Sequence, residues 1–334
     1  MGFCSEIKEN FKKFCSLILM SKIKIKVIGV GGSGGNVIAR MINSGLFGVD
    51  LIAINTDAQD LKKKKAGFKL RIGRKLTQGL GTGMNPELGE QAALEQKEEI
   101  AEILKETEIV FVATGLGGGT GTGAAPVVAK MAKESGILTF GVVTTPFAFE
   151  GRARVEIARK GLERIKAGVD SLIVIPNDNL LKFLSPKTPL SKSFWICDEI
   201  LHQAVKGISD LVTLPGIVNV DLADVRSILK DSGTAFFGIG RARGENRARE
   251  AAEAALNSPL LDISSFSQAK GILFNISGGP DISLYEVDEA AKVVTKNAGP
   301  ETKVIFGAIQ DEELRRGEIK ITVIATGFNF PIML

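Results

Sequence analysis

The chain has 334 residues, enough for one large or two medium domains with real cores. Its 44% hydrophobic and 24% charged residues give the balance of an ordinary globular protein and exclude a disordered or fibrous one. The 42 Lys and Arg exceed the 38 Asp and Glu only enough for a formal charge of +4. No basic patch is interleaved with aromatics, so nucleic acid is not an expected partner.

Cys4, Cys15 and Cys197 show neither a pairable nor a metal-type spacing, which fits a reducing cytoplasm. The single histidine, His202, excludes a His-rich metal centre, and no metal ligands are expected from the protein. Lys62 to Lys65 reads as a solvated helix end or loop. No apolar run is long enough to cross a bilayer. In residues 1–21, Phe3, Ile7, Phe11, Phe14 and Ile18 recur at helical spacing among Lys8, Lys12 and Lys13. That extension fits a helix packed on the body, a loose tail, or a helix lying on a membrane surface.

Lys24 to Val30 predicts a strand ending at glycines, and Asn36 to Asn43 a helix. Val49 to Ile54 is a strand, and the glycine-rich loop Gly79 to Asn85 precedes one long helix opening at Pro86, which suits a first helical turn. Glu108 to Ala113 is an apolar strand, followed by the loop Gly115 to Gly123 and a helix through Val127 to Lys133. Ile137 to Thr144 and Ser171 to Ile175 add two strands. The alternation predicts an α/β fold: a Rossmann-like, mostly parallel sheet covered on both faces, spanning residues 22–189. Phe194 to Val212 then reads as a long central helix within 190–214, with Ile196, Ile200, Ala204, Ile208 and Leu211 on one face and a stop at Pro215-Gly216. Helices at Asp224 to Lys230, Arg247 to Leu256 and Leu284 to Lys296 accompany strands at Thr234 to Gly240, Gly271 to Ser277, Thr302 to Ile309 and Glu318 to Thr326. They predict a second, smaller α/β domain over 215–328, followed by a short tail at 329–334.

Two glycine loops carry the chemistry. Gly29-Val-Gly31-Gly-Ser-Gly34-Gly-Asn36 lies between a strand and a helix, and with Asp57 after the next strand it matches the dinucleotide fingerprint. An NAD-dependent oxidoreductase is therefore the alternative reading. The second loop, Gly115-Leu-Gly117-Gly-Gly119-Thr-Gly121-Thr-Gly123, lets backbone N–H groups converge at a helix N-terminus, with Thr120 and Thr122 adding hydroxyls. It predicts binding of a nucleotide by its phosphates. No Gly-Lys-Ser/Thr ends the loop, so a P-loop lysine is excluded.

This second loop resembles the signature loop of the tubulin/FtsZ family. The resemblance is nearest the FtsZ branch and extends from Ile25 to Gly327. It includes Gly29 to Asn36, Asn55-Thr-Asp57-Ala-Gln59, Gly79 to Glu87, Pro146-Phe-Ala-Phe-Glu150-Gly151, Pro176-Asn-Asp178 and Gly216-Ile-Val-Asn219-Val-Asp221-Leu-Ala-Asp224-Val225. It implies a GTPase of cell division that hydrolyses GTP to GDP and forms filaments, cytoplasmic and placed at the division site. It implies phosphate contacts at Gly31, Gly32, Gly117, Gly118, Gly119, Thr120 and Gly121, with Ser33 also among the nucleotide-binding positions. Thr82, Gly83 and Met84 fall in the loop that senses the terminal phosphate. Asn36 and Asn55 belong to the same nucleotide set, Glu150 and Arg154 match ribose and phosphate contacts, Asn177 a sugar and base contact, and Phe194 and Asp198 the guanine-reading positions. Mg²⁺ is implied on the phosphates. The chain ends without the linker and terminal peptide of bacterial members, which is reminiscent of archaeal ones and leaves the membrane-tethering partner open.

Asn219, Asp221 and Asp224 have two readings. Asp221 is a good helix N-cap, and Asp224 suits the first turn. The resemblance implies instead that this loop enters the nucleotide pocket of the next subunit, where the two acids and Asn219 position the attacking water. Each chain would then partner itself head to tail, a non-closing contact.

Overall fold

The computed structural model describes residues 23–46, 48–181, 184–185, 187–213, 216–258, 263–296, 298–311 and 314–328. The expectations for the 1–21 extension, the break at Pro215 and the tail at 329–334 lie outside them.

Ten strands form one sheet in the order β3-β2-β1-β4-β5-β6-β7-β10-β8-β9. The first six are β1 (Ile25–Val30), β2 (Val49–Asn55), β3 (Phe68–Arg71), β4 (Ile109–Gly115), β5 (Leu138–Thr145) and β6 (Ser171–Pro176). All of their pairings are parallel. The remaining four are β7 (Gly233–Arg243), β8 (Gly271–Gly278), β9 (Lys303–Gln310) and β10 (Glu318–Phe328), and only β10 runs antiparallel, against β7 and β8. The sheet does not stop between the two halves, because Leu172 of β6 pairs in parallel with Thr234 of β7.

The helices are α1 (Gly31–Asn43), α2 (Ala58–Lys63), α3 (Pro86–Glu95), α4 (Lys97–Leu104), α5 (Thr120–Glu134), α6 (Arg152–Ala167), α7 (Asn177–Leu181), α8 (Leu190–Thr213), α9 (Leu222–Leu229), α10 (Arg247–Leu256) and α11 (Leu284–Thr295). Strands β1, β4, β5 and β6 are buried along nearly their whole length, as both-face coverage requires, while the edge strand β3 buries only Leu70. Phe111 and Phe140 stack at 4.9 Å on adjacent strands under α1 and α8. The core of α8 is built from Cys197, Leu201, Ala204, Val205, Ile208 and Leu211, while Ile196 and Ile200 are only half-buried. This helix shares one apolar cluster with β1, β4 and β5 on one side and with Phe237, Leu273 and Ile324 on the other.

Several boundaries differ from expectation. The helix opening at Pro86 is two, separated at Gln96, whose side-chain oxygen accepts from the Gly73 N–H. The helices after the glycine loops begin inside those loops, at Gly31 and Thr120 rather than at Asn36 and Val127.

Candidate functional site

In the sheet order, β1 stands between β2 and β4, the point where the chain's winding reverses. Ligands bind in the crevice beyond the carboxyl ends of strands at such a point. The two glycine loops leave those neighbouring ends, since Gly29 of β1 is paired with Ala113 of β4. A cleft of about 380 Å³ opens there, walled also by Thr144, Pro146 and Asn177 at the ends of β5 and β6.

Its floor is made of helix starts. Neither α1 nor α5 has a side-chain cap or an acidic residue in its first turn. Each therefore presents uncapped N–H groups and the positive end of its dipole to the cleft, which is an anion site. The loops touch at Gly31, which has φ 76° and where a Cβ would lie 3.0 Å from the Gly121 nitrogen. Gly117 has φ 96° and its N–H donates to Thr122 Oγ1 at 3.0 Å. A Cβ on Gly118 would meet nothing within 4 Å, so that backbone faces open space.

Around this floor the hydroxyls are fixed. Thr120 Oγ1 lies 2.6 Å from Thr56 Oγ1 and 3.2 Å from Thr82 Oγ1, joining the second glycine loop to the 79–85 loop. Ser33 Oγ accepts from the Gly115 N–H at 2.7 Å, tying the two glycine loops together. Met84, also on the wall, adopts the left-handed φ of 64°.

At the other end of the cleft, Phe194 and Asp198 project from the start of α8. Phe147 holds Phe194 edge-on at 5.5 Å. Glu150 and Arg154 form an ion pair with each other, and Glu150 Oε1 accepts from the Phe147 N–H at 2.9 Å. Asn177 Oδ1 is buried on the wall without a hydrogen-bond partner; an acceptor of that kind is normally satisfied, and a ligand hydroxyl or amine would do so. Burial pushes the Cys197 thiol up to about 12, with the neighbouring Asp198 carboxylate adding to it. This cysteine is an inert wall residue rather than a nucleophile.

Of the residues singled out from sequence, Gly31, Gly32, Ser33, Thr82, Met84, Gly118, Gly119, Thr120, Gly121, Glu150, Arg154, Asn177, Phe194 and Asp198 line this cleft. Gly83 and Gly117 lie beside it in the same loops. Asn36 and Asn55 do not line it. Asn36 accepts from Lys64, while Asn55 donates to Asp60 at 2.9 Å and accepts from the Thr56 N–H at 2.9 Å, holding the chain end after β2. Gly115, Leu116, Thr144, Pro146 and Cys197 line the cleft without having been singled out; the parallel strand order would have pointed to the strand-end residues among them. Asp57 caps α2, accepting from the Gln59 and Asp60 N–H groups. Asp57 does not line the cleft, where the dinucleotide reading would need it for the ribose.

The acidic residues lie elsewhere. From Cys197 on the cleft wall to Thr213, α8 advances about 24 Å. The following loop is pinned to β9, where the Ile217 N–H donates to the Ala308 carbonyl at 2.7 Å. Asn219 Oδ1 accepts from the Gly216 N–H at 2.7 Å. Asp221 is the N-cap of α9, accepting from the Asp224 N–H at 2.7 Å.

The fold and cleft define an α/β nucleotide-binding protein in which two uncapped helix N-termini open onto the cleft. A model of the tubulin/FtsZ family GTPase domain matches residues 24–185, and one of the FtsZ family C-terminal domain matches residues 233–329. An empty FtsZ dimer of M. jannaschii is similar at 44% identity, over 96% of this chain and 92% of that one, with a TM-score of 0.90. CetZ2 of Haloferax volcanii, solved as a GTPγS-bound protofilament, is similar at 26% identity over 90% and 92% of the two chains, with a TM-score of 0.75. CetZ1 of the same organism, a GDP-bound monomer at 22% identity and a TM-score of 0.76, shares the fold. The chain belongs to the tubulin/FtsZ family, and within it to the FtsZ group. It is a cytoskeletal GTPase that binds guanine nucleotide.

Proposed function

We propose that the chain polymerises head to tail, and that GTP is hydrolysed where the cleft of one copy meets the 216–224 loop of the next. The observation that carries this is the separation just described. The cleft is lined by uncapped helix starts and by only Glu150 and Asp198 as acids, while Asp221 and Asp224 sit beyond the far end of α8.

The exposed apolar residues support the same reading. Met84, exposed at 42%, lines the cleft, and Leu80 and Phe149, exposed at 85% and 64%, belong to the loops that carry its lining residues Thr82 and Glu150. Ile217, Leu284 and Tyr285, exposed at 65%, 85% and 75%, gather at the other end. Gly278 of β8 pairs with Gln310 of β9, beside the Ala308 that holds the loop, so the start of α11 and the loop share one edge. Two different patches joined head to tail would make an open chain. The protofilament of CetZ2 and the dimer of FtsZ are assemblies of relatives.

In this reading the first turns of α1 and α5 hold the phosphates through Gly31, Gly32, Ser33, Gly117, Gly118, Gly119, Thr120 and Gly121. Thr82, Gly83 and Met84 meet the terminal one. Glu150 and Arg154 contact the ribose and phosphates, Asn177 the sugar and base, and Phe194 and Asp198 read the base. Asn36 and Asn55 act behind them. Capping α9 fixes the Asp221 carboxylate, and Asp221, Asp224 and Asn219 hold the attacking water in line with the γ-phosphate. Among the described residues no cluster of three or more His, Cys, Asp or Glu could hold a metal. Mg²⁺ would come coordinated by the triphosphate and its own waters, as this ion usually does. We assign residues 22–189 to nucleotide binding and 215–328 to the activating domain, joined by the 190–214 helix.

The cellular role that follows is a cytoplasmic filament of the division ring, attached to the membrane through separate tethering proteins. Among the described residues no helix is long and apolar enough to cross a membrane. GTP-dependent sedimentation with parallel phosphate release tests the reading. Specific activity should collapse below a threshold protein concentration and rise with the pelleted fraction. Turnover independent of concentration would refute it.

A further inference from the structure

Arg40 lies on α1 outside the cleft lining, and the phosphate scheme makes no use of it. Its guanidinium reaches across to α8. Nη2 donates to Asp198 Oδ2 at 3.1 Å, and Cζ stands 4.8 Å from the centre of the Trp195 ring. The two charged side chains are largely withdrawn from water, at 18% and 14% exposure. Arg40 Nε is buried with no hydrogen-bond partner, so the Asp198 carboxylate and the Trp195 face are what hold this side chain.

A purely structural arginine in the same molecule looks different. Arg247 donates through Nε, Nη1 and Nη2 to Glu286 and Asp281, tying α10 to α11 with its donors filled. Arg40 makes one polar contact, and that contact is to a residue that lines the nucleotide cleft.

A carboxylate that recognises guanine accepts from the ring N–H and the 2-amino group, so it must be ionised and correctly turned. Burial pushes the Asp198 carboxyl up, and the Arg40 guanidinium opposes that push. The facing charges are Arg40 on α1 and Lys64 after α2, with Glu150 and Arg154 across the cleft.

We propose that Arg40 is a positioning residue for guanine selection: braced against the Trp195 ring, it fixes the Asp198 carboxylate in the orientation that reads the base. This rests on Asp198 being the base-reading residue.

The test compares GTP with ITP, which lacks the 2-amino group, in binding and in steady-state turnover. Arg40→Met, which keeps the aliphatic volume, should cut the preference for GTP over ITP by roughly tenfold to a hundredfold, the range for one hydrogen bond to a charged group. ITP, which keeps the ring N–H but has no 2-amino group, should lose less than GTP. Arg40→Lys should restore part of the preference, since an ammonium pairs with the carboxylate but lacks the planar fork. It also serves if the Met variant does not fold. Trp195 is the only tryptophan of the chain, and its fluorescence response to GTP should weaken in Arg40→Met. Equal losses for GTP and ITP would make Arg40 a general strut and overturn the proposal. Asp198→Ala separates the two levels. If it leaves the GTP to ITP ratio at the parent value, the base-reading assignment falls and the proposal with it. If it collapses the ratio while Arg40→Met preserves it, the Arg40 proposal alone is wrong.

Discussion

A mixing experiment isolates the split site. Asp224→Asn removes an acid from the loop and leaves the cleft of its own chain intact. Gly118→Leu does the reverse: a Cβ there meets no protein atom within 4 Å, so the added side chain fills phosphate space without disturbing the fold. Each variant alone should be nearly inactive. In a co-assembled 1:1 mixture, a junction works only where an intact cleft from the Asp224→Asn chain meets an intact loop from the Gly118→Leu chain. With random order that is about one junction in four, so roughly a quarter of the parental turnover should return. A site complete within one chain predicts no recovery, and α8 is long enough to keep the two mechanisms apart, because its Cys197 to Thr213 stretch holds the loop about 24 Å from the cleft wall. The assay is phosphate release per pelleted chain, with both variants labelled to show that both are in the pellet. Co-pelleting without turnover above the sum of the separate variants would refute the reasoning.

Three other outcomes follow from local geometry. Gly34→Ala would place its Cβ 2.6 Å from the Ala113 carbonyl oxygen and 2.7 Å from the Gly29 carbonyl carbon, so α1 must lift off β1 and β4; urea unfolding should show a loss of about 1–3 kcal/mol, and nucleotide affinity should fall with it. Leu284→Lys with Tyr285→Lys should abolish GTP-dependent sedimentation while leaving GTP binding to the separate chains at the parent level, as measured by equilibrium titration. Arg247 hydrogen bonds hold Glu286 and Asp281 below the ordinary carboxylate range. Because the folded values are the lower ones, their stabilisation is complete above the unfolded carboxylate range and disappears as pH falls through the depressed values. Arg247→Met should therefore lower the urea midpoint at neutral pH, and the gap to the parent should close in acid.

Much of the fold was legible because the strands of the first half are uniformly apolar and separated by glycine punctuation. What was not legible has local causes. The α6 helix, Arg152–Ala167, escaped reading because Gly161 interrupts its pattern, and no side chain caps its start at Gly151. Gly161 exists for contact: a Cβ there would lie 2.3 Å from Thr122 Cγ2, so α6 can press against α5 only without a side chain. The short α2 and β3 offer too few residues for a period to emerge. Continuity of the sheet through β6 and β7 is a long-range pairing that no local pattern encodes.

The glycine loops show most clearly why the site was half-visible. Glycine disfavours helix interiors by about 1 kcal/mol per residue, so a propensity reading ends the helices outside the loops. Here Gly31, Gly32, Gly34 and Gly35 are the first turns of α1. Small residues let α1 meet β1 and β4 at backbone distance and leave its N–H groups uncovered, which is what a phosphate requires. The same property gives the acidic loop its separate character. The N-terminus of α9 is capped by Asp221, so that helix start is already satisfied from within and offers carboxylate instead of donors. A phosphate floor built on backbone donors can hold a triphosphate but supplies no base to orient water, and a turn built on acids would repel the same phosphate if both were fixed in one cleft. On the proposed reading, placing them at opposite ends of α8 keeps the cleft attractive to nucleotide in the free chain and would bring the acids in only when another copy docks.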